Sequence, residues 1–411
     1  MNRVAVTGMG IISPLGNDVK GFWEALCQGK CGIGPITRFD AAGYKVRIAA
    51  EVKGFEPARF GMEAAEARRM DLFTQYAMAA AHQAMEQSGL MGRVAPERLG
   101  VNLSSGIGGI ETMFRESGKL LSRGPGRVSP LCIPTMIGNM AAGNLAIRYQ
   151  ARGACVPVVT ACATSTHSVG EAYRLIRHGY LDAVITGGSE ASVAPIAIAG
   201  FTSCMALSEA NEPLASSLPF DGRRAGFVLG EGAAALVLEN FDHAKARGAV
   251  ILGEIAGYGA SCDAFHITAP HPEGEGAARA IRLALAEAGD EGRESLYINA
   301  HGTGTPLNDK TETLAIKRAL GEERARKAAI SSIKGATGHM LGAAGGAELI
   351  ASLLALRENL LPPTIPLEQP DPECDLDYVP GAARKESREL GLSISLGFGG
   401  HNGVLAVRRG Q

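Results

Sequence analysis

The sequence predicts an α/β fold made of two similar halves. Three observations predict it. Short β-branched runs alternate with segments of helical periodicity along the chain. The alternation restarts, with the same grammar, after residue 248. Glycines, 54 in all, punctuate the joins without forming a low-complexity linker, so the halves are expected to pack as one body. At 411 residues and 46 % hydrophobic composition there is apolar material for two cores.

The elements follow in order. "RVAVTG" reads as an opening strand, the segment from Met70 to Met85 as a helix and "LGVNLSS" as a second strand. In "VVTACATSTHSVGEAYRLI" a β-branched run ends at Thr160, after which Val169, Ala172, Tyr173 and Ile176 recur at helical spacing, with Gly179 as the stop. Strands "DAVITGG" and "AAALVLENF" and the charged helix "DHAKARG" complete the first half, and the boundary is placed near Gly248, giving halves 1–248 and 249–411. The second half reads "AVILGEIAGYGA", "GEGAARAIRLALAEAG", "LYINAHG", "NDKTETLAIKRALG", "AAISSIKGATGHM" and "AAGGAELIASLLALRE". Its "AISSIKGATGHMLGAAGGAEL" repeats the strand, small turn and helix around Cys162, which points to internal duplication. The Pro-rich "LLPPTIPLEQPDPECD" is expected as an exposed excursion.

Composition excludes several function classes. The net charge of -2, from 40 basic and 42 acidic residues, argues against general binding of nucleic acid or a membrane surface, so an acidic partner needs a local basic patch. The eight cysteines include no CxxC pair and no regular secreted frame, so neither a zinc site nor a disulfide framework is indicated and a reducing, cytoplasmic setting is expected. No signal peptide and no run of about 18 apolar residues is read, hence no membrane span.

Two glycine patterns, "GMGIIS" and "GIGGIE", lack the third glycine of a dinucleotide fingerprint and are read as loop tips that allow positive φ or close backbone approach. Cys162 sits where a strand enters a helix. Backbone N–H groups at a helix N-terminus favour an anion, so the expectation is a lowered thiol pKa and a nucleophile. His301 follows the apolar strand "LYIN", and Lys334 and His339 lie on the next strand-to-helix turn, at the strand ends where α/β sheets gather functional groups. A thiol, two histidines and a lysine on such loops suit acyl transfer through a covalent intermediate. In "SISLGFGGHNG", Phe398 lies among Gly397, Gly399 and Gly400, which can bring a backbone N–H to a reacting carbonyl.

Together "TACATS", "AHGTGTP", "IKGATGHMLGAAGG" and "GFGGHN" resemble the β-ketoacyl-[acyl-carrier-protein] synthases of the thiolase superfamily, nearest the type II elongating enzymes of fatty-acid synthesis. The likeness extends to "VAVTGMGIISPLG", "PFDGRRAGFVLGEGA" and "PPTIPLEQPDPECDLDYVP". It implies the thiolase fold: two halves, each a mixed five-stranded sheet with helices, in a five-layered α-β-α-β-α body, commonly a homodimer paired through the strand before the nucleophile. It implies that Cys162 accepts the acyl chain and that His301 and His339 polarise the malonyl thioester. It also implies that Lys334 orients them with Glu348 as its acidic partner. Phe398 is implied to be the gating aromatic, its N–H joining that of Cys162 in the oxyanion hole. Thr303 and Thr305, with Thr268, are implied to hold the phosphopantetheine arm, and Ile107, Phe201 and Phe227 to line the acyl tunnel. Arg68 and Arg69, with Arg123 and Arg127 as companions, are the expected patch for acidic acyl carrier protein. No metal or other cofactor is expected, since phosphopantetheine arrives on the carrier protein and malonyl-carrier protein is the second substrate.

Two residues depart from the family pattern: Leu396 replaces a common aromatic and His401 a common threonine, the latter read as loop packing. A degradative thiolase needs a second cysteine in a C-terminal glycine-rich loop, and none follows Cys374. A cysteine peptidase leaves the apolar tunnel residues unexplained. A polyketide-type ketosynthase shares the triad. A non-catalytic chain-length partner subunit would lack the reactive cysteine, which is present here.

Overall fold

The computed structural model describes residues 1–410. Nine strands form the main sheet: β1 (Val4–Ile12), β2 (Leu99–Ser104), β3 (Ala183–Glu190), β4 (Gly232–Asn240), β5 (Gly253–Cys262), β6 (Leu296–Asn299), β7 (Ala329–Ser331), β8 (Leu390–Gly397) and β9 (His401–Arg409). Their order is β2-β3-β4-β1-β5-β9-β8-β6-β7. In the first half β1 and β3 run antiparallel to β4, and β2 parallel to β3. In the second half β5 and β8 run antiparallel to β9, and β6 parallel to β8 with β7 beyond it. The two patterns match strand for strand except at one edge, where the counterpart of β7 is reduced to a single parallel bridge between Val101 and Cys155. The halves are also not separate sheets. Val4 to Val6 of β1 pair with Gly253 to Ile255 of β5 and join them into one.

The expected layers are present. Outside the first half lies α1 (Leu72–Ser88), packed on β1 and β4. Between the halves lie α3 (Thr164–Arg177) and α6 (Ala344–Glu358), in contact with each other and with strands of both halves of the sheet. Outside the second half lies α4 (Glu275–Glu287) on β5 and β9, with α5 (Pro306–Leu320) beside it. The α2 helix (Ile110–Arg123) flanks the first half. Because α6 lies between the two halves, its sequence is apolar or small nearly all round, with Glu348 the charged exception, and all residues from Ala344 to Leu356 are buried. Each large aliphatic side chain there contributes about 1.5–3 kcal/mol by leaving water.

Two expectations change. Gly8 and Gly10 are not at a loop tip but inside β1, where a Cβ would lie 2.0 Å from the carbonyl oxygens of Ala84 and Ala80 in α1. Their role is close approach of helix to strand. In the Pro-rich segment, Leu361 to Ile365 are buried and only the stretch from Glu368 to Pro370 and its neighbours is exposed. No helix among the described residues is long and apolar enough to cross a membrane.

A pair of alanine substitutions separates packing from backbone entropy. Gly8→Ala should lower stability by about 1–3 kcal/mol because backbone must move to admit the methyl. Gly118→Ala, in exposed α2 with open space around it, should raise stability by about 0.5–1 kcal/mol. Urea-unfolding midpoints of the two variants check both signs.

Candidate active site

The strand-to-helix join at Cys162 is an elbow. Ala161 takes φ +50, a left-handed conformation that costs a non-glycine residue about 1–3 kcal/mol, and opens a short 3-10 turn from Ala161 to Ala163 before α3 begins at Thr164. The turn lifts Cys162 to the floor of a cavity of about 370 Å³. The backbone N–H groups of Phe398 and of Cys162 itself lie beside the sulfur and act to lower its pKa, so two N–H groups stand where an oxyanion would form. The expected low thiol pKa does not hold. Burial pushes the Cys162 thiol up to about 12, while the charge of Lys334 and the two N–H groups pull it down by less and Glu190 pushes it further up. The elbow supplies donors for an oxyanion rather than a resting thiolate.

His301 stands two residues beyond the end of β6, and His339 on the turn after β7. The two rings lie 5.3 Å apart at 81° and line the cavity with Cys162. Lys334, buried, donates from Nζ to the His301 carbonyl at 2.5 Å, stands 3.5 Å from its Nδ1 and pairs with Glu348. The Nδ1 of His339 accepts the N–H of Leu341 at 3.3 Å, and its own backbone N–H donates to the Val228 carbonyl at 2.7 Å. With each Nδ1 facing a donor, each Nε2 carries the proton. Burial, then the positive charge of Lys334, holds both imidazoles well below the ordinary histidine pKa, and His339 adds to the effect on His301. They are neutral hydrogen-bond donors.

Two carboxylates that sequence reasoning missed hold the His301 loop. Glu312 accepts the N–H groups of His301 at 2.7 Å and Gly302 at 2.8 Å, and Asp309 accepts those of Gly304 at 3.2 Å and Phe220 at 2.8 Å. Both are buried on α5, one turn apart, and acidic residues at that spacing just after "AHGTGTP" were the available signal.

The other predicted residues divide. Thr303 and Thr305 line the cavity with hydroxyls 2.9 Å apart, and Thr268 also lies in its lining, exposed on its loop. Phe227 lines it too, edge-on to His339 at 5.0 Å, whereas Phe201 only packs behind Phe227 at 5.6 Å. Leu396 lines the cavity and His401 does not; the latter starts β9 with its ring 6.5 Å from that of His167. Ile107 does not line the cavity either: its side chain is 43 % exposed, because its loop is drawn by backbone N–H groups onto the buried Glu190. Arg68, Arg69, Arg123 and Arg127 are exposed and lie away from the cavity lining.

The chain matches the family models described as "Beta-ketoacyl synthase, N-terminal domain" over residues 1–244 and "Beta-ketoacyl synthase, C-terminal domain" over residues 252–368. It belongs to the β-ketoacyl synthase family. As a β-ketoacyl synthase it is a condensing acyltransferase of thiolase fold. It is 49 % identical over 411 residues to 3-oxoacyl-[acyl-carrier-protein] synthase 2 of Synechocystis sp., covering 100 % of this chain and 98 % of that one. Among solved structures it resembles the ishigamide ketosynthase/chain length factor, with a TM-score of 0.93, 37 % identity and 100 % of both chains covered. It also resembles a type II PKS acyl-carrier protein in complex with its ketosynthase bound to the hexaketide, with a TM-score of 0.90, 32 % identity and 100 % of both chains covered.

In this β-ketoacyl synthase, alkylation of Cys162 by iodoacetamide should quicken about tenfold per pH unit from about pH 6 to 8 without levelling off, since thiolate is scarce below the raised pKa. A plateau below about pH 7 would show that the helix N-terminus outweighs burial. Replacement of Lys334 by alanine should cost about 3–5 kcal/mol, because it strands the buried Glu348 carboxylate, and thermal unfolding beside a Lys334→Met/Glu348→Gln double variant measures it.

Proposed function

We propose that this chain is a 3-oxoacyl-[acyl-carrier-protein] synthase that lengthens fatty acyl chains by two carbons through decarboxylative Claisen condensation. The observation that carries the reading is one cavity lined together by the Cys162 thiol, the Phe398 loop and the two imidazoles of His301 and His339, both held neutral.

The Cys162 sulfur attacks the acyl thioester of acyl carrier protein, and its proton leaves with the departing phosphopantetheine thiol. Thr303 and Thr305, with Thr268 at the mouth, guide that arm. Malonyl-carrier protein then enters, and its carbon–carbon bond to the carboxylate breaks as carbon dioxide leaves. The electron pair flows into an enolate whose oxygen receives hydrogen bonds from His301 and His339. Burial, with the charge of Lys334 held by Glu348, keeps both rings neutral, while Lys334 holds the His301 carbonyl and the Leu341 N–H holds the His339 ring. The enolate carbon attacks the acyl carbonyl on Cys162. The tetrahedral oxyanion rests against the N–H groups of Cys162 and Phe398, and its collapse releases the 3-oxoacyl thioester and a thiolate that regains a proton. The scheme uses no metal and no cofactor beyond the carrier's own arm.

The partner and setting belong to the same proposal. The related ketosynthase solved with its acyl-carrier protein supports carrier docking. The exposed Arg68, Arg69, Arg123 and Arg127, none of them in an ion pair among the described residues, supply basic groups for an acidic carrier. A homodimer is favoured by the free sheet edge at Cys155, where Val156 and Val159 are 63 % and 57 % exposed. The boundary near Gly248 divides two thiolase-like halves, and the protein works in the cytoplasm. Fatty-acid use is preferred to a polyketide role because identity is higher to the synthase of Synechocystis than to the polyketide ketosynthase.

Incubated with acyl-carrier thioesters of several lengths, wild type should gain one acyl group by intact mass and Cys162→Ala none. Malonyl-carrier protein should then release a 3-oxoacyl product. Carrier binding without acyl uptake would instead make the chain a partner subunit.

A further inference from the structure

Glu190 ends β3 fully buried and forms no ion pair among the described residues. Its carboxylate is satisfied by five neutral donors. Oε2 accepts the N–H groups of Gly106 at 3.0 Å and Gly342 at 3.1 Å; Oε1 accepts the hydroxyls of Ser105 at 2.8 Å and Ser192 at 3.2 Å and the N–H of Ile107 at 3.4 Å. A Cβ on Gly342 would fall 2.4 Å from the nitrogen of Gly106 and 2.9 Å from Oε2, so glycine alone lets the two N–H groups converge on one oxygen.

The donors come from segments with different tasks. Ser105, Gly106 and Ile107 form the loop before α2, whose first residue, Ile110, packs on the apolar cluster containing Cys162, Phe227 and Leu341. Gly342 belongs to the 3-10 turn from Leu341 to Ala343, and Leu341 gives the N–H that fixes the Nδ1 of His339. That turn copies the nucleophile elbow: Leu341 has φ +45 where Ala161 has φ +50, and Gly342 holds the place of Cys162. At the first elbow the central N–H belongs to the residue that carries the reacting sulfur and lies beside it. At the second it is occupied by Glu190.

We propose that Glu190 is a positioning residue for condensation, fixing His339 through the Leu341–Ala343 turn and seating that turn against the loop that walls the apolar cluster behind Cys162. The inference rests on the synthase reading above. It acts on the half-reaction that uses His339, decarboxylation and carbon attack, and leaves acyl transfer to Cys162 largely alone.

Two variants of the full-length protein test it. In Glu190→Gln the amide oxygen can stay on Gly106 and Gly342 while its NH₂ donates to the serine hydroxyls, which turn from donating to accepting, and the Ile107 N–H loses its acceptor. Glu190→Asp keeps the charge but is one methylene shorter and cannot span both loops. Acyl-enzyme formation is followed by intact mass, condensation from preloaded acyl-enzyme by product release, and folding by thermal midpoint. In Glu190→Asp condensation should fall up to about 10²-fold while acylation stays within about threefold, and Glu190→Gln should keep condensation within about fivefold of wild type. Condensation at the wild-type rate in Glu190→Asp, or equal losses in both half-reactions tracking the thermal midpoint, overturns the proposal. A loss in Glu190→Gln as deep as in Glu190→Asp also overturns it, since charge rather than position would then be at work. Wild type that acylates without condensing overturns the synthase reading and this inference together.

Discussion

One buried ammonium group organises the chemistry. Lys334 is 1 % exposed, and its Nζ meets the His301 carbonyl, the His301 ring and the Glu348 carboxylate at once. A charge so placed is tolerated only with its partner beside it. Its field reaches further than its bonds: it adds to burial in keeping two imidazoles uncharged and lowers, without overcoming, the effect of burial on the thiol. Neutral donors suit an enolate that forms and vanishes within a turnover, because a protonated imidazole would risk delivering its proton to the carbon that must attack.

The scaffold that allows this is a duplication used asymmetrically. Both halves carry a strand, an elbow with a left-handed first residue and a central helix, and α3 and α6 lie together between the joined sheets. One elbow presents a sulfur to the cavity, the other a glycine to a buried carboxylate. The second half then adds what the first lacks, the two histidines and the lysine, on loops tied down by Glu312 and Asp309.

Much of this was legible in the chain. Periodicity around Val169 and Ile176 gave α3, the repeat around Lys334 and His339 gave the second elbow, and the strand-end positions of Cys162, His301 and His339 gave the site. What escaped depended on depth. Whether the thiol is charged turns on how much protein covers it, and local spacing carries no measure of that. Glu190, Asp309 and Glu312 read as ordinary acidic residues because their donors are largely backbone N–H groups from other loops, which leave no side-chain signature. The fusion of the two sheets rests on three residues of β1 meeting three of β5, too short a pairing to show as a pattern.

The raised thiol pKa has a bearing on survival between turnovers. Peroxide attacks thiolate, and the first product, a sulfenic acid, ends catalysis unless it is reduced. A sulfur kept protonated on the floor of a cavity, whose wall carries one other cysteine, the exposed Cys204, therefore idles in a form that oxidants react with slowly. The same burial that makes the nucleophile wait for its substrate shields it from oxidative damage while it waits.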